Sequence, residues 1–69
     1  QIFYSQDISG DAVRLDEEEA KHCFKVLRHK ADDIIHITDG KGNLYQCRIE
    51  DHHLAHHRIH ILKTITPAR

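Results

Sequence analysis

The sequence has little of what enzyme active sites are usually built from. Its two serines, Ser5 and Ser9, lie near the start and away from any patterned His and Asp set. No dinucleotide-binding fingerprint occurs. The two cysteines, Cys23 and Cys47, lie in unrelated segments and form no CxxC pair. We predict two reduced, buried thiols in a cytosolic protein, with a disulfide as the less favoured alternative. We therefore predict no catalytic residue in this segment.

Long apolar runs are lacking as well. No stretch approaches the roughly 20 apolar residues that span a membrane, and no signal-peptide pattern is present. We therefore expect a cytoplasmic location and no membrane partner. With 69 residues, of which 39% are hydrophobic, the chain suits one small globular domain with a marginal core. It leaves no room for a catalytic domain with a large cofactor pocket, so we predict no cofactor in this segment.

Charges of one sign are grouped along the chain. The net charge of −1 names no partner by itself. Residues 1–20 carry six acids and one base, whereas residues 21–31 carry four bases and no acid. Residues 52–69 carry three bases, no acid and five of the eight histidines. This division into patches directs attention to the basic stretch "KHCFKVLRHK" at 21–30.

A change in hydrophobic period predicts one helix. Asp16 is placed to cap it, with Glu19 three residues later in the capping-box position. At about 100° per residue, five apolar side chains fall within one arc of roughly 160°. They are Ala20, Cys23, Phe24, Val26 and Leu27. We predict an amphipathic helix over about residues 16–28 that packs this face against the rest of the fold.

Alternating apolar residues predict short strands elsewhere. The runs are "IFY" at 2–4, "ISGDAVRL" at 8–15, "IIHITD" at 34–39, "NLYQCRIE" at 43–50 and "RIHILKTI" at 58–65. Gly10-Asp11 and the "DGKG" segment at 39–42 supply turns, and Pro67 ends the last strand. About five strands and one helix predict a mainly-β fold, a small barrel closed to hide its edges, with the helix covering one opening.

The alternation also predicts which side chains of the last two strands face the core. These are Tyr45, Cys47 and Ile49 in one strand, and Ile59, Ile61 and Ile65 in the other, where Lys63 interrupts the row. After the last strand, "TPAR" offers no further apolar element. We expect it to be a linker to a second domain.

Five basic side chains follow the helix and its exit. They are Lys21, Lys25, Arg28, His29 and Lys30. One interpretation is helix electrostatics, because acids at the start and bases at the end favour the macrodipole, and Glu17–Lys21 is a good i, i+4 pair. The other is contact with nucleic-acid phosphates. The first interpretation is strong on composition alone, but the cations continue past the last helical turn, where pairing inside the helix no longer accounts for them.

Two further motifs have simpler interpretations. The run His52-His53-Leu54-Ala55-His56-His57 has histidines at i and i+4, which can bind zinc on a helix, but it lacks the Glu of the zinc-protease pattern. A solvated loop is favoured, and we predict no metal site. The "DGKG" segment lacks the spacing of a phosphate loop, and a hairpin is favoured. Lys41 at its tip could still touch an RNA backbone.

One order of motifs resembles a known family. The succession "IFY…LDEEEAKHCFKVLR…DGKGNLYQCRI" is similar to the N-terminal domain of the RsmE family, the 16S ribosomal RNA uridine-N3 methyltransferases. The most specific part is H-x-x-x-V-L-R, here His22, Val26, Leu27 and Arg28. The "DGKG" hairpin with Tyr45 behind it supports the resemblance, which covers roughly residues 2–66.

The resemblance implies a fold and a function. It implies a small PUA-like β-barrel of five or six strands with one helix over residues 1–66, and the start of a linker at residues 67–69. In the family, S-adenosylmethionine binds a separate C-terminal SPOUT domain that also forms the homodimer. The segment is then the domain that positions the methyltransferase on the 16S rRNA of the small ribosomal subunit. The alternative is a structural or protein-interaction domain that packs on the partner subunit without direct RNA contact.

Candidate RNA contacts follow from the basic side chains of the helix and its exit and from the resemblance together. Arg28 and Lys30 come first, Lys25 and Lys21 second, and His22, His29, Lys41 and Arg48 complete the set. His22 borders the apolar arc, so its alternative role is to brace the barrel. The family often has an apolar residue where this chain has His29, and often glycine where it has Asp32. Asp tolerates the left-handed conformation, so we expect the turn to survive.

Overall fold

Six short strands and one helical segment make up the fold. The computed structural model describes residues 2–65, so Pro67, the expected linker and the expected boundary at residue 66 lie outside the described residues. The strands are β1 (Ile2–Tyr4), β2 (Asp7–Ser9), β3 (Ala12–Arg14), β4 (Ile34–Thr38), β5 (Leu44–Asp51) and β6 (Arg58–Ile65). Between β3 and β4 lie the helix α1 (Glu17–Lys21) and a π-helical turn (His22–Val26), called the π-turn below.

The strands form one sheet in the order β1-β4-β5-β6-β3-β2. β1 pairs with β4 in parallel, and all other pairs are antiparallel. The sheet curls into a half-barrel, and the predicted mainly-β architecture with one helical segment is confirmed. Within residues 2–65 the two end strands, β1 and β2, form no ladder with each other. In this respect the fold differs from the closed barrel that we expected.

The core lies on the inner face of the curled sheet. It contains Phe3, Val13, Leu15, Ala20, Cys23, Phe24, Ile35, Ile37, Cys47, Ile49 and Ile59. Cys47 and Ile49 are buried as the alternation predicts, and Tyr45 packs against the core from the end of the same face. None of the helical segments in residues 2–65 has the length and apolar character needed to cross a bilayer.

Both cysteines are free and fully buried, as predicted. Burial raises the pKa of Cys23 to about 12, with smaller contributions from the charges of Glu19 and Asp33. Burial also raises the pKa of Cys47 to about 11. The thiolate is the reactive form of cysteine, so both side chains are packing residues at neutral pH.

A β-bulge in β6 makes its inner face differ from the predicted one. Cys47 pairs with Ile61, but Gln46 pairs with Lys63, so Leu62 is an extra residue. One extra residue moves every following side chain to the opposite face of the sheet. Ile65 is therefore not in the row of Ile59 and Ile61. It is 36% exposed on the outer face.

The helix is shorter than the predicted span of residues 16–28 and changes type. After Lys21 the α-helix becomes the π-turn, and the C-cap is Leu27. The hydrogen bond from the Leu27 N–H to the His22 carbonyl, at 2.9 Å, closes a turn one residue wider than an α-helical turn. Because of this extra residue, Val26 and Leu27 rotate away from the buried side. The prediction that both are buried with Cys23 and Phe24 is wrong.

Candidate nucleic-acid interface

The start of the helix is fixed by two acidic side chains. Asp16 Oδ1 accepts a hydrogen bond from the Glu19 N–H at 2.8 Å, which is the predicted cap. The Glu19 carboxylate does not return to Asp16. Its Oε2 accepts from the backbone N–H of Tyr4 at 2.9 Å. This contact gives the N–H of the end strand β1 a partner from the helix. It also fixes the helical segment that carries Lys21 and Lys25 against the sheet.

The helix ends in a left-handed residue. Arg28 has φ = 59°, a conformation that glycine usually takes at this position. The N–H of His29 then donates to the Cys23 carbonyl at 3.0 Å. This bond satisfies one of the last carbonyls of the helical segment. Arg28 is thus placed outside the helix, where it is exposed.

The turn after Arg28 is held by Asp33. Its Oδ2 accepts a hydrogen bond from the Lys30 N–H at 3.0 Å and lies 3.2 Å from Nδ1 of His29. The hydrogen bond from the Lys30 N–H, and after it the contact with His29, hold the pKa of Asp33 below its usual range. Asp32 has φ = 75°, so the left-handed turn does survive without glycine. The backbone on both sides of Lys30 is therefore fixed.

The same turn is joined to β5. The N–H of Asp32 donates to the Ile49 carbonyl at 2.7 Å, and the Ile49 N–H donates to the Asp33 carbonyl at 3.0 Å. The N–H of Ala31 donates to Nδ1 of His52 at 3.2 Å. Three backbone groups of the turn thus have partners on β5 or just after it, and the turn is a continuation of the sheet rather than a free loop.

Two of the predicted contact residues also brace the core. The rings of His22 and His29 each meet the buried ring of Phe3 edge-on, with centroids 6.0 Å apart in both pairs. Both histidines are half-buried. His22 therefore has the bracing position that the sequence left as its alternative role. Their positions make them supports for the turn, and RNA contact by either one remains a prediction.

The four cations of the helix and its exit are exposed and without acidic partners. Within residues 2–65 the ion pairs are His29–Asp33 at 3.2 Å and Arg48–Glu50 at 3.6 Å. The predicted pair Glu17–Lys21 is not formed. We use the term helix-exit cations for Lys25, Arg28 and Lys30. Lys21 lies one turn earlier.

The two remaining candidates have different surroundings. Arg48 is exposed on the outer face of β5, opposite Ile34, and it pairs with Glu50. It lies next to Ile49, to which the turn of residues 29–33 is bonded, and we call this turn the anchored turn. Lys41 lies in the hairpin at the other end of β4, a strand of five residues, or about 17 Å. The structure therefore separates Lys41 from the helix-exit cations.

The "DGKG" segment is a hairpin, as predicted, and Asp39 organises it. Its carboxylate accepts hydrogen bonds from the N–H of Lys41 at 2.8 Å, from both nitrogens of Asn43 and from the hydroxyl of Tyr45 at 3.2 Å. These donors, the Asn43 side chain first, lower the pKa of Asp39 to about 2. Burial raises the pKa of Tyr45, and the hydrogen bond to Asp39 and the charge of that carboxylate raise it further.

The histidine run is more structural than the predicted solvated loop. His57 is buried, and its Nε2 accepts a hydrogen bond from the Leu15 N–H. Its Nδ1 lies 3.2 Å from the Leu54 carbonyl. Both ring nitrogens are thus in use, so His57 is not available for an i, i+4 metal site with His53. No group of three or more potential metal ligands occurs in residues 2–65. Nothing in the polar sequence of the run predicts that His57 is buried.

An open cleft of about 740 Å³ lies at the other end of the helix. Asp7, Asp16 and Glu17 line it, together with Arg14, His53 and His57. Arg14 is held there by donating to the Ala55 carbonyl at 3.2 Å. The excess of acids disfavours phosphate. The helix-exit cations and this cleft therefore divide the surface into a basic and an acidic end.

Known structures share this architecture over nearly the whole chain. A predicted RNA methyltransferase from Thermotoga maritima is 31% identical with a TM-score of 0.83, over 99% of this chain and 31% of that chain. A ribosomal RNA small subunit methyltransferase E from Neisseria gonorrhoeae, bound to S-adenosyl methionine, is 25% identical with a TM-score of 0.79, over 94% and 28%. A probable rRNA-methyltransferase from Porphyromonas gingivalis is 28% identical with a TM-score of 0.78, over 99% and 28%.

This chain thus spans about a third of the length of these structures. No curated protein sequence gives a significant match. The family model described as RNA methyltransferase PUA domain matches residues 15–56, which include the helix, the anchored turn, β4 and β5. Because this match covers more than half of the sequence, the chain belongs to the RNA methyltransferase PUA domain family.

Proposed function

We propose that the chain binds RNA through the helix-exit cations and Lys21. One observation carries the proposal: four exposed cations, none of which pairs with an acid within residues 2–65, lie along the helix and at its exit, beside a turn that is bonded to β5. When exposed cations neutralise phosphates, the counterions condensed on the nucleic acid are released, and this release is the main source of nonspecific affinity for nucleic acids. RNA contact by Arg48, which pairs with Glu50 on the outer face of β5, stays a prediction.

The finer proposal concerns the whole protein. We propose that this domain positions an S-adenosylmethionine-dependent methyltransferase on the 16S rRNA of the small ribosomal subunit, for methylation of uridine N3. The cofactor and the homodimer interface belong to a C-terminal SPOUT domain outside this chain, and the protein acts in the cytoplasm. The similarity to the Neisseria gonorrhoeae small subunit methyltransferase supports this assignment.

The test is the salt dependence of RNA binding. The chain is titrated with a ribosomal RNA hairpin at several salt concentrations, and fluorescence anisotropy gives the Kd. With four phosphate contacts in the single-stranded loop of the hairpin, log K should fall against log salt with a slope of about −3. The double variant Arg28→Gln/Lys30→Gln should reduce the slope to about −1.5 and weaken binding at low salt.

A matched control removes the same charge elsewhere. Arg58→Gln/Lys63→Gln also neutralises two exposed cations, but on β6. This variant should keep the wild-type slope, because Arg58 and Lys63 lie outside the proposed RNA-binding surface. Equal slopes for the wild type and the Arg28/Lys30 variant would contradict the proposal.

The second candidate function is protein interaction, and the outer face of the sheet favours it. Tyr4, Thr38, Leu44 and Ile65 follow one another across four strands without a charge. Tyr4 is 46% exposed and Ile65 36%. If this row binds a protein partner and the chain does not bind RNA, the RNA titration will show no saturable, salt-dependent binding.

A further inference from the structure

Two exposed apolar side chains lie between the helix-exit cations in the sequence. Val26 is 65% exposed and Leu27 is 37% exposed, within the sequence "KVLR". Lys25 precedes them and Arg28 follows. Among the exposed large apolar residues of the described part of the chain, Val26 is the most exposed. Val26 and Leu27 thus form a small apolar surface, enclosed by cations, that is available to a ligand.

The π-turn is the cause of this exposure. Its extra residue rotates the following positions by about 100° relative to an α-helix. Without it, Val26 and Leu27 would continue the buried side of Cys23 and Phe24, as the helical periodicity predicts. The backbone is fixed in the wider form by the bonds from Leu27 to His22 and from His29 to Cys23. The fold therefore presents these two side chains outward in a defined position.

We infer that Val26 and Leu27 contact the faces of unpaired RNA bases while the helix-exit cations hold the flanking phosphates. The inference rests on the proposed RNA binding and names its substrate class: single-stranded RNA, or a loop whose bases are free. In an A-form duplex the base faces are stacked, so an apolar tip has no surface to bury there. In a single strand, base faces lie between successive phosphates, as Val26 and Leu27 lie between Lys25 and Arg28 in the sequence.

A purely apolar protein partner fits this tip less well. It would have to cover Val26 and Leu27 while it removed water from Lys25 and Arg28, and burying unpaired charges is strongly unfavourable. Unpaired nucleotides offer a partner to both kinds of side chain at once.

The experiment compares two RNAs of the same length, one unstructured and one a duplex. The test variant is Val26→Ser/Leu27→Ser, and the single variant Val26→Ser serves if the double variant does not fold. The control is Leu62→Ser, which removes an apolar side chain of 45% exposure at the β6 bulge. Thermal melting establishes that each variant is folded before binding is measured.

The wild type should bind the unstructured RNA more tightly than the duplex. The test variant should lose about fivefold in affinity for the unstructured RNA, with the salt slope and the affinity for the duplex unchanged. Leu62→Ser should behave as the wild type. Unchanged affinity of the test variant, or an equal loss on both RNAs, would overturn the inference and leave RNA binding itself intact. Failure of the wild type to bind either RNA would instead overturn the proposed function.

Discussion

The backbone N–H of Leu15 donates a hydrogen bond to Nε2 of His57 at 3.0 Å, across 42 residues of sequence. The bond joins the segment before the helix to the loop before β6. It requires the tautomer of His57 that carries its proton on Nδ1, which faces the Leu54 carbonyl. The ring of His57 also lies against that of Phe24, with centroids 5.4 Å apart. One histidine of a polar run thus closes the fold around the start of the helix.

Replacement of His57 tests this role. His57→Ala leaves the buried Leu15 N–H without its partner and opens a cavity beside Phe24, so we expect a loss of about 2 kcal/mol in the free energy of unfolding. The measurement is urea denaturation followed by circular dichroism. His53→Ala, in the exposed part of the same loop, is the matched control and should change stability by less than about 0.5 kcal/mol. Equal effects of the two substitutions would contradict the assigned role.

Arg28→Gly should separate stability from RNA binding. Glycine adopts the left-handed conformation without strain, so this change should raise the free energy of unfolding by up to about 1 kcal/mol. It should nevertheless weaken RNA binding, because one of the proposed phosphate contacts is removed. Asp32→Gly is the matched control: it relaxes the second left-handed residue and leaves every cation in place. If both variants bind RNA equally well, Arg28 is not a contact residue.

Asp39 predicts a pH dependence in acid. Its pKa in the folded state, about 2, is lower than the ordinary value of 3.8. A lowered pKa stabilises the fold above the ordinary value, and this stabilisation is lost as the pH falls through about 2. Wild-type melting temperature should therefore decline between about pH 4 and pH 2. Asp39→Asn should melt lower near neutral pH and decline less in that window. Parallel curves would show that Asp39 does not contribute, and the lowered pKa of Asp33 would account for the remaining slope.

The two cysteines should be protected from thiol reagents in the native state. Burial and the raised pKa values of Cys23 and Cys47 leave almost no accessible thiolate near neutral pH. A colorimetric thiol assay should detect two thiols at once in denaturing urea and almost none in the folded protein. Rapid labelling of one thiol before unfolding would place that cysteine nearer the surface than the structure does.

Periodicity in the sequence predicts most of the fold and fails where single residues are inserted. Alternation correctly places Cys47, Ile49 and Ile59 in the core, and the cap at Asp16 is correct. The errors at Val26 and Ile65 have the same cause, since each follows one extra residue, in the π-turn and in the β6 bulge respectively. Neither insertion has a local sequence signature, because both depend on tertiary packing that a periodic pattern does not contain.

The candidate site was predictable in composition but not in arrangement. The basic stretch of the sequence predicts which cations are exposed. The position of Arg28 beyond the helix follows only from the backbone conformation, and the separation of Lys41 from the other cations follows only from the strand order. His57 could not have been found at all, since its burial depends on Leu15, which is distant in sequence.

The anchored turn also has a consequence for the thermodynamics of binding. No glycine occurs between residues 11 and 39, so the helix, its exit and the two left-handed residues are built without the most flexible residue of the chain. Bonds to Ile49 and His52 then restrict the turn further. A turn ordered in this way before the ligand arrives loses little backbone conformational entropy on association. The RNA and the exposed cationic side chains would therefore account for most of the ordering on binding.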